Sequence, residues 1–108
     1  MSEFNLRPHY HRGGLGWYRH ADKRICVTFR FEPRCIWLGS IRVEPEYRNQ
    51  GVGTQAMQAL IALATRRKLG VRLLAEPDRG RDRRKLYRWY KRLGFRRCSG
   101  GHFYYAPQ

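Results

Sequence analysis

The chain has 108 residues, enough for one core and too few for two, and its 42% hydrophobic and 14% aromatic content argues for a folded globule. The longest apolar run, Ala59 to Ala64, is far short of the roughly 20 residues of a membrane span, and the N-terminus has no hydrophobic signal region, so a cytoplasmic protein without membrane contact is expected. The net charge of +15 is unevenly placed: Arg66 to Arg97 holds 14 Lys and Arg against Glu76, Asp78 and Asp82, which favours nucleic acid or an acidic macromolecule as partner over a mere gain in solubility.

Residues 1–16 set Pro8, Gly13, Gly14 and Gly16 among polar groups and read as a loop or loosely docked arm, leaving 17–108 as a single domain. Trp17 and Tyr18 begin a strand. Ile25 to Phe31 alternates and is rich in β-branched and aromatic residues, Pro33-Arg34 turns it, and Cys35 to Val43 returns antiparallel. From Gln50 to Leu69 the spacing predicts a largely buried helix, with a stripe of Val52, Ala56, Ala59, Leu60 and Leu63 widened by Met57, Ile61 and Ala64. Arg66, Arg67 and Lys68 complement its C-terminal dipole, and Gly70 is the expected C-cap. Val71 to Ala75 is a short apolar strand suited to run parallel to Ile36–Val43 across that helix, a right-handed βαβ unit.

Pro77 to Arg81 reads as a loop, and Asp82 as the N-cap of a second helix. Leu86, Trp89, Tyr90 and Leu93 are its inner face, Arg83, Arg84, Lys85, Arg88, Lys91 and Arg92 face mostly outward, and Gly94 stops it. Phe95–Arg97 and His102–Tyr105 form a terminal hairpin through Ser99-Gly100-Gly101. The fold class is α/β (α+β): a mixed, mainly antiparallel sheet around a central βαβ unit. Cys26, Cys35 and Cys98 are an odd number at wide spacing, read as reduced thiols, and the histidines have no cysteine or carboxylate at zinc-ligand spacing, so no metal site is expected.

Chemistry concentrates where the strand ending at Val43 runs through Glu44-Pro45-Glu46-Tyr47-Arg48-Asn49-Gln50 into Gly51-Val52-Gly53-Thr54. Gly51 and Gly53 lack a Cβ, so the backbone there is free to bend tightly and bring N–H groups against a phosphate at the positive end of the following helix. Gly51 to Ala56 also satisfies the dinucleotide pattern G-x-G-x-x-A, but six residues separate the strand from the first glycine, and no further βαβ units remain for a second nucleotide. A Walker loop fails because no Lys-Ser or Lys-Thr follows the glycines.

Arg48-Asn49-Gln50-Gly51-Val52-Gly53, preceded by Val43-Glu44-Pro45-Glu46-Tyr47, and the later segment Leu86 to Phe95 together resemble the GCN5-related N-acetyltransferase (GNAT) superfamily, which binds acetyl-CoA. The resemblance spans about Ile36 to Arg97. It implies that backbone N–H groups of Gln50, Gly51, Val52, Gly53 and Thr54, with Arg48 and Asn49, hold the coenzyme pyrophosphate, and that the strand edge at Ile41, Arg42 and Val43 pairs with the pantetheine arm. Further coenzyme contacts fall to Asp82, Tyr87 and Lys91. The tyrosine that such proteins place four residues before the glycine of Leu-Gly-Phe is Tyr90, the expected general acid for the leaving thiolate, with Tyr87 in reserve. The acceptor amine needs a base, and Trp37 stands where histone-type relatives have a glutamate. Glu44 and Glu76 are the candidates, with Glu32 and Glu46 behind them.

The resemblance also implies a GNAT-like fold lacking the usual first two helices, as in minimal members from phages and mobile elements. The acceptor side is then open, and either the substrate is a macromolecule or a second subunit of a homodimer completes the wall. The expected activity is transfer of an acetyl group to a primary amine on a protein or an aminoacyl-tRNA, held by Arg83, Arg84, Lys85, Arg88 and Arg92. The alternative is a non-catalytic basic module that binds nucleic acid or a partner protein on the same scaffold.

Overall fold

The computed structural model describes residues 10–12, 17–21, 23–75 and 83–107. Its strands are β1 (Tyr10–Arg12), β2 (Trp17–Ala21), β3 (Ile25–Phe31), β4 (Cys35–Val43), β5 (Gly70–Leu74), β6 (Arg96–Arg97) and β7 (His102–Tyr105), with helices α1 (Val52–Arg66) and α2 (Arg83–Arg92). They form one sheet in the order β1-β2-β3-β4-β5-β7-β6, in which β4 and β5 are parallel and every other pair is antiparallel. The expected mixed, mainly antiparallel sheet with a central β4-α1-β5 unit is therefore present. One difference lies at the start: Tyr10–Arg12, inside the segment read as an arm, pairs with β2 as an edge strand. Only residues 13–16 separate β1 from β2, which leaves no room for two helices between them.

Alternation decides which face is covered. Ile25, Val27 and Phe29 of β3, Ile36 and Leu38 of β4, Val71 and Leu73 of β5, and Phe103 of β7 are buried in one cluster with Val52, Ala56, Met57, Leu60, Leu63 and Ala64 of α1. Tyr90 of α2 and Phe95 join the same cluster, so both helices pack on one face of the sheet. Phe29, Ile36, Leu60 and Phe103 are fully removed from solvent, and each such side chain contributes about 1.5–3 kcal/mol of transfer free energy.

The helix ends refine the sequence reading. α1 begins at Val52 rather than Gln50, because Asn49 (φ 63°) and Gly51 (φ 79°) take left-handed conformations that no helix tolerates. It closes at Arg66 in a Schellman turn: the Leu69 N–H donates to the Ala64 carbonyl (2.9 Å) and the Lys68 N–H to that of Thr65 (3.0 Å). The left-handed position is filled by Lys68 (φ 58°), so Gly70 is not the C-cap. Gly70 opens β5 instead, where a Cβ would stand 2.6 Å from the Tyr105 carbonyl oxygen and 2.7 Å from the Tyr104 ring. α2 ends in the same motif with the expected residue, Gly94 (φ 104°), as the Phe95 N–H reaches the Tyr90 carbonyl at 3.1 Å.

The feature that positions the site is a divergence. β4 and β5 pair from Cys35↔Gly70 to Leu38↔Leu73 and then separate, while β4 stays paired with β3 as far as Val43↔Ile25 across an irregularity at Thr28/Phe29. From Gly39 onward the β5-facing edge of β4 has no strand partner among the described residues. Among those residues, no helix is long and apolar enough to cross a membrane, and no three His, Cys, Asp or Glu side chains gather to hold a metal ion.

Candidate functional site

The mouth of this divergence is built by a loop that hydrogen-bonds to itself. Pro45 sets the first turn of a 3-10 segment, Pro45–Tyr47, in which the Tyr47 N–H donates to the Glu44 carbonyl at 2.9 Å. Arg48 Nε donates to the Val43 carbonyl (3.0 Å) and Gln50 Nε2 to the Glu46 carbonyl (3.0 Å), fastening the loop to the end of β4. Asn49 and Gly51 then turn the chain into α1. Asparagine is among the few non-glycine residues that accept a left-handed φ readily, and Gly51 needs no Cβ space but does need the conformation.

The first bond inside α1 runs from the Gln55 N–H to the Gly51 carbonyl at 3.0 Å, so the N–H groups of Val52, Gly53 and Thr54 lie ahead of the helical ladder. No side chain caps them, since the N-cap is Gly51. They open on a cleft of about 580 Å³ lined by the loop residues Tyr47, Arg48, Asn49 and Gly51, by Val43, and by Lys85, Leu86 and Trp89 of α2. Trp89 Nε1 donates to Thr54 Oγ1 at 2.9 Å and clamps α2 against the start of α1. A Cβ on Gly53 would sit 3.5 Å from both Trp89 and Val43, ordinary contact, so Gly53 is a helical residue on the cleft floor and not the bend the sequence suggested. Arg48 and Lys85 are exposed, and among the described residues the lining contains no carboxylate. Uncapped N–H groups, a helix dipole and two cations around one cleft suit a pyrophosphate.

The structure brings Val43, Arg48, Asn49, Gly51, Val52, Gly53 and Thr54 together around one cleft, along with Lys85, which the sequence placed among the acceptor contacts. Ile41 packs against the core on the helix face, whereas Arg42 is exposed and pairs with Cys26 on the other face. Gln50 and Lys91 are exposed outside the cleft lining, and Glu44 is half-buried with its N–H donated to the Arg24 carbonyl at 2.7 Å. Glu76 and Asp82 lie outside the described residues. Arg83, Arg84, Arg88 and Arg92 are exposed along α2.

Tyr90 is 5% exposed, with its ring centroid 5.2 Å from Phe103 and 5.1 Å from Trp89, and does not itself line the cleft. Tyr87 packs edge-on against Phe103 at 5.1 Å under the Arg97 guanidinium, 4.7 Å above its ring. Trp89, Leu86 and Tyr47 are cleft residues that the sequence assigned to core or left unassigned. The apolar helical spacing of Leu86 and Trp89 is the same for a core face and a cleft wall, so no local signal distinguished the two.

Residues 4–95 match the profile of the Acetyltransferase (GNAT) family. The chain belongs to that family. Membership of that family makes acetyl-CoA the cosubstrate of this chain. Among solved structures, the anti-CRISPR protein AcrVA5 superposes with a TM-score of 0.74 at 18% identity, over 85% of this chain and 100% of that one. The ribosomal-protein-S18-alanine N-acetyltransferase of Escherichia coli gives 0.63 at 16% identity, over 90% of this chain and 67% of the enzyme. AtaTR bound with AcCoA gives 0.54 at 18% identity, covering 82% of this chain and 65% of that one. At these identities the likeness is one of fold. No curated protein matches the sequence significantly.

Proposed function

We propose that this protein is an acetyl-CoA-dependent N-acetyltransferase acting on a primary amine of a macromolecule. The observation that carries the reading is the uncapped start of α1, opening with Arg48 and Lys85 onto a cleft beside the edge of β4 that has no strand partner among the described residues. Bound there, acetyl-CoA supplies a thioester whose acetyl group is passed to the amine. The Val52, Gly53 and Thr54 N–H groups and the two cations hold the pyrophosphate, and the β4 edge from Gly39 to Val43 offers backbone groups to the pantetheine amides. Tyr90 donates its phenolic proton to the departing sulfur, with Tyr87 one turn away as its substitute. A carboxylate, Glu44 or Glu76, takes the proton the amine must lose, directly or through water. A lysine acceptor has a pKa of about 10.4 and needs that help more than an α-amine near 8.

The macromolecular acceptor is supported by the four residues between β1 and β2, too few for two helices, and by the exposed Arg83, Arg84, Arg88 and Arg92 on α2. One structural neighbour is, by its name, an acetyltransferase for an alanine of a ribosomal protein. A second reading, a non-catalytic basic module on this scaffold, is favoured by the lack of any carboxylate among the described residues of the cleft lining.

Thermal unfolding with acetyl-CoA, CoA and NAD tests the proposal. A ligand at 100 times its Kd stabilises the fold by about 2.7 kcal/mol, on the order of 10 °C for a domain of this size. Acetyl-CoA and CoA are expected to raise Tm and NAD to leave it unchanged, with the shift reduced in Lys85→Glu. No shift with acetyl-CoA would overturn the enzymatic reading and leave the basic module.

A further inference from the structure

We infer that the helix-free face of the sheet is a binding surface for single-stranded nucleic acid. Among the described residues both helices pack on the other face, so no helix covers the alternate residues of each strand. Their register is specific. Arg30 of β3 stands opposite Trp37 of β4, Trp37 opposite Arg72 of β5, Arg72 opposite Tyr104 of β7, and Tyr104 opposite Arg96 of β6. Five directly opposed positions on five adjacent strands thus alternate arginine, aromatic, arginine, aromatic, arginine. At a strand spacing of about 4.8 Å the row is about 19 Å long.

Arg72 and Arg96 are exposed, Trp37 and Tyr104 are half-buried, and His102 adds a third ring beside Trp37 at 6.0 Å between centroids. Tyr104 is held in place because its ring rests against Gly70, where any side chain would collide with it. Arg30 is within 3.7 Å of Glu32, which lies beyond the end of its strand, and none of the strands carries a carboxylate.

This pattern selects its occupant. Phosphates need cations at repeated intervals, and unpaired bases need ring faces between them; sheets that bind single-stranded RNA stack two or three bases on strand aromatics in this manner. A duplex hides its base faces and gains nothing from Trp37 or Tyr104. An acidic peptide would answer the arginines alone and leave the alternating rings without a role. The surface is on the opposite side of the sheet from the cleft, and the inference holds whether or not acetyl transfer occurs.

The test is fluorescence anisotropy of the full chain with labelled U12, dT12, a 12-base-pair duplex and an oligoglutamate peptide. Both single strands are expected to bind more tightly than the duplex and the peptide, and a preference between U12 and dT12 tells RNA from DNA. Arg72→Ala with Arg96→Ala is expected to weaken U12 binding about tenfold and to lower the salt slope by about 1.4, at roughly 0.7 per phosphate contact. The equally neutralising pair Arg83→Ala with Arg92→Ala on α2 is expected to cost less than threefold.

Tyr104→Ala is expected to weaken U12 binding about tenfold without changing the slope. Should that variant unfold, photocrosslinking of 4-thiouridine-substituted U12 to the wild-type chain replaces it, with adducts expected on Trp37, His102 or Tyr104. Equal losses from the two arginine pairs, tighter binding of duplex or oligoglutamate, or adducts confined to α2 would overturn the inference.

Discussion

At the level of single residues, two hydroxyls and two thiols give opposite expectations. Tyr90 and Tyr87 both approach Phe103, and the proposed function makes Tyr90 the proton donor and Tyr87 its substitute. Tyr90→Phe is expected to lower kcat about 100-fold with little change in KM for acetyl-CoA, whereas Tyr87→Phe stays within about threefold, as steady-state kinetics would show. If Tyr87→Phe carries the loss, the two roles are exchanged. Cys35 is buried at the start of β4, where burial first and then the nearby Glu32 raise its thiol pKa, while Cys98 is exposed. Alkylation followed by mass spectrometry at pH 8 is expected to label Cys98 at least tenfold faster than Cys35, because burial and a raised pKa both protect Cys35.

At the level of elements, the two helices end in the same hydrogen-bonded turn with different residues at the left-handed position. Lys68 carries a Cβ at φ 58°, which costs about 1 kcal/mol relative to glycine, so Lys68→Gly is expected to raise Tm by about 4 °C. Gly94 sits at φ 104° with a Cβ direction 2.8 Å from the Tyr105 ring, and Gly94→Ala is expected to lose about 2 kcal/mol. Denaturant unfolding of both variants measures the pair. The β-strands and the stripe of α1 were legible in the sequence because periodicity is local: β3 and β4 have the expected bounds, and Val52, Ala56, Leu60 and Leu63 are buried. The C-cap at Gly70 was not legible correctly, since what excludes a side chain there is Tyr104 and Tyr105 on a strand paired more than thirty residues away.

For the whole molecule, charge separates two tasks. Lys85 and Arg48 line the cleft, while Arg83, Arg84 and Arg88 are exposed outside its lining, and the proposed function assigns them to the acceptor. Arg83→Glu, Arg84→Glu and Arg88→Glu together are expected to abolish acceptor acetylation and leave the thermal shift by acetyl-CoA intact. Loss of both would show that the helix surface serves the coenzyme, and loss of neither would sink the acceptor role. A net charge of +15 makes any anionic partner's affinity fall steeply with salt, so both assays belong at a stated ionic strength.

The sequence by itself determined the family and the turn that opens α1, because such a turn is specified by a few consecutive residues. Arg48, Asn49 and Gly51 act through their own backbone angles and near neighbours, and local chemistry is written in order along the chain. Tertiary structure decided what depends on register and packing. It set Trp89 against Thr54, thirty-five positions apart, turned Lys85 from the acceptor surface into the cleft, and aligned Arg30, Trp37, Arg72, Tyr104 and Arg96 across five strands. A shift of one residue in any of those pairings would send its side chains to the opposite face, and the buried alternation of the core is what forbids the shift.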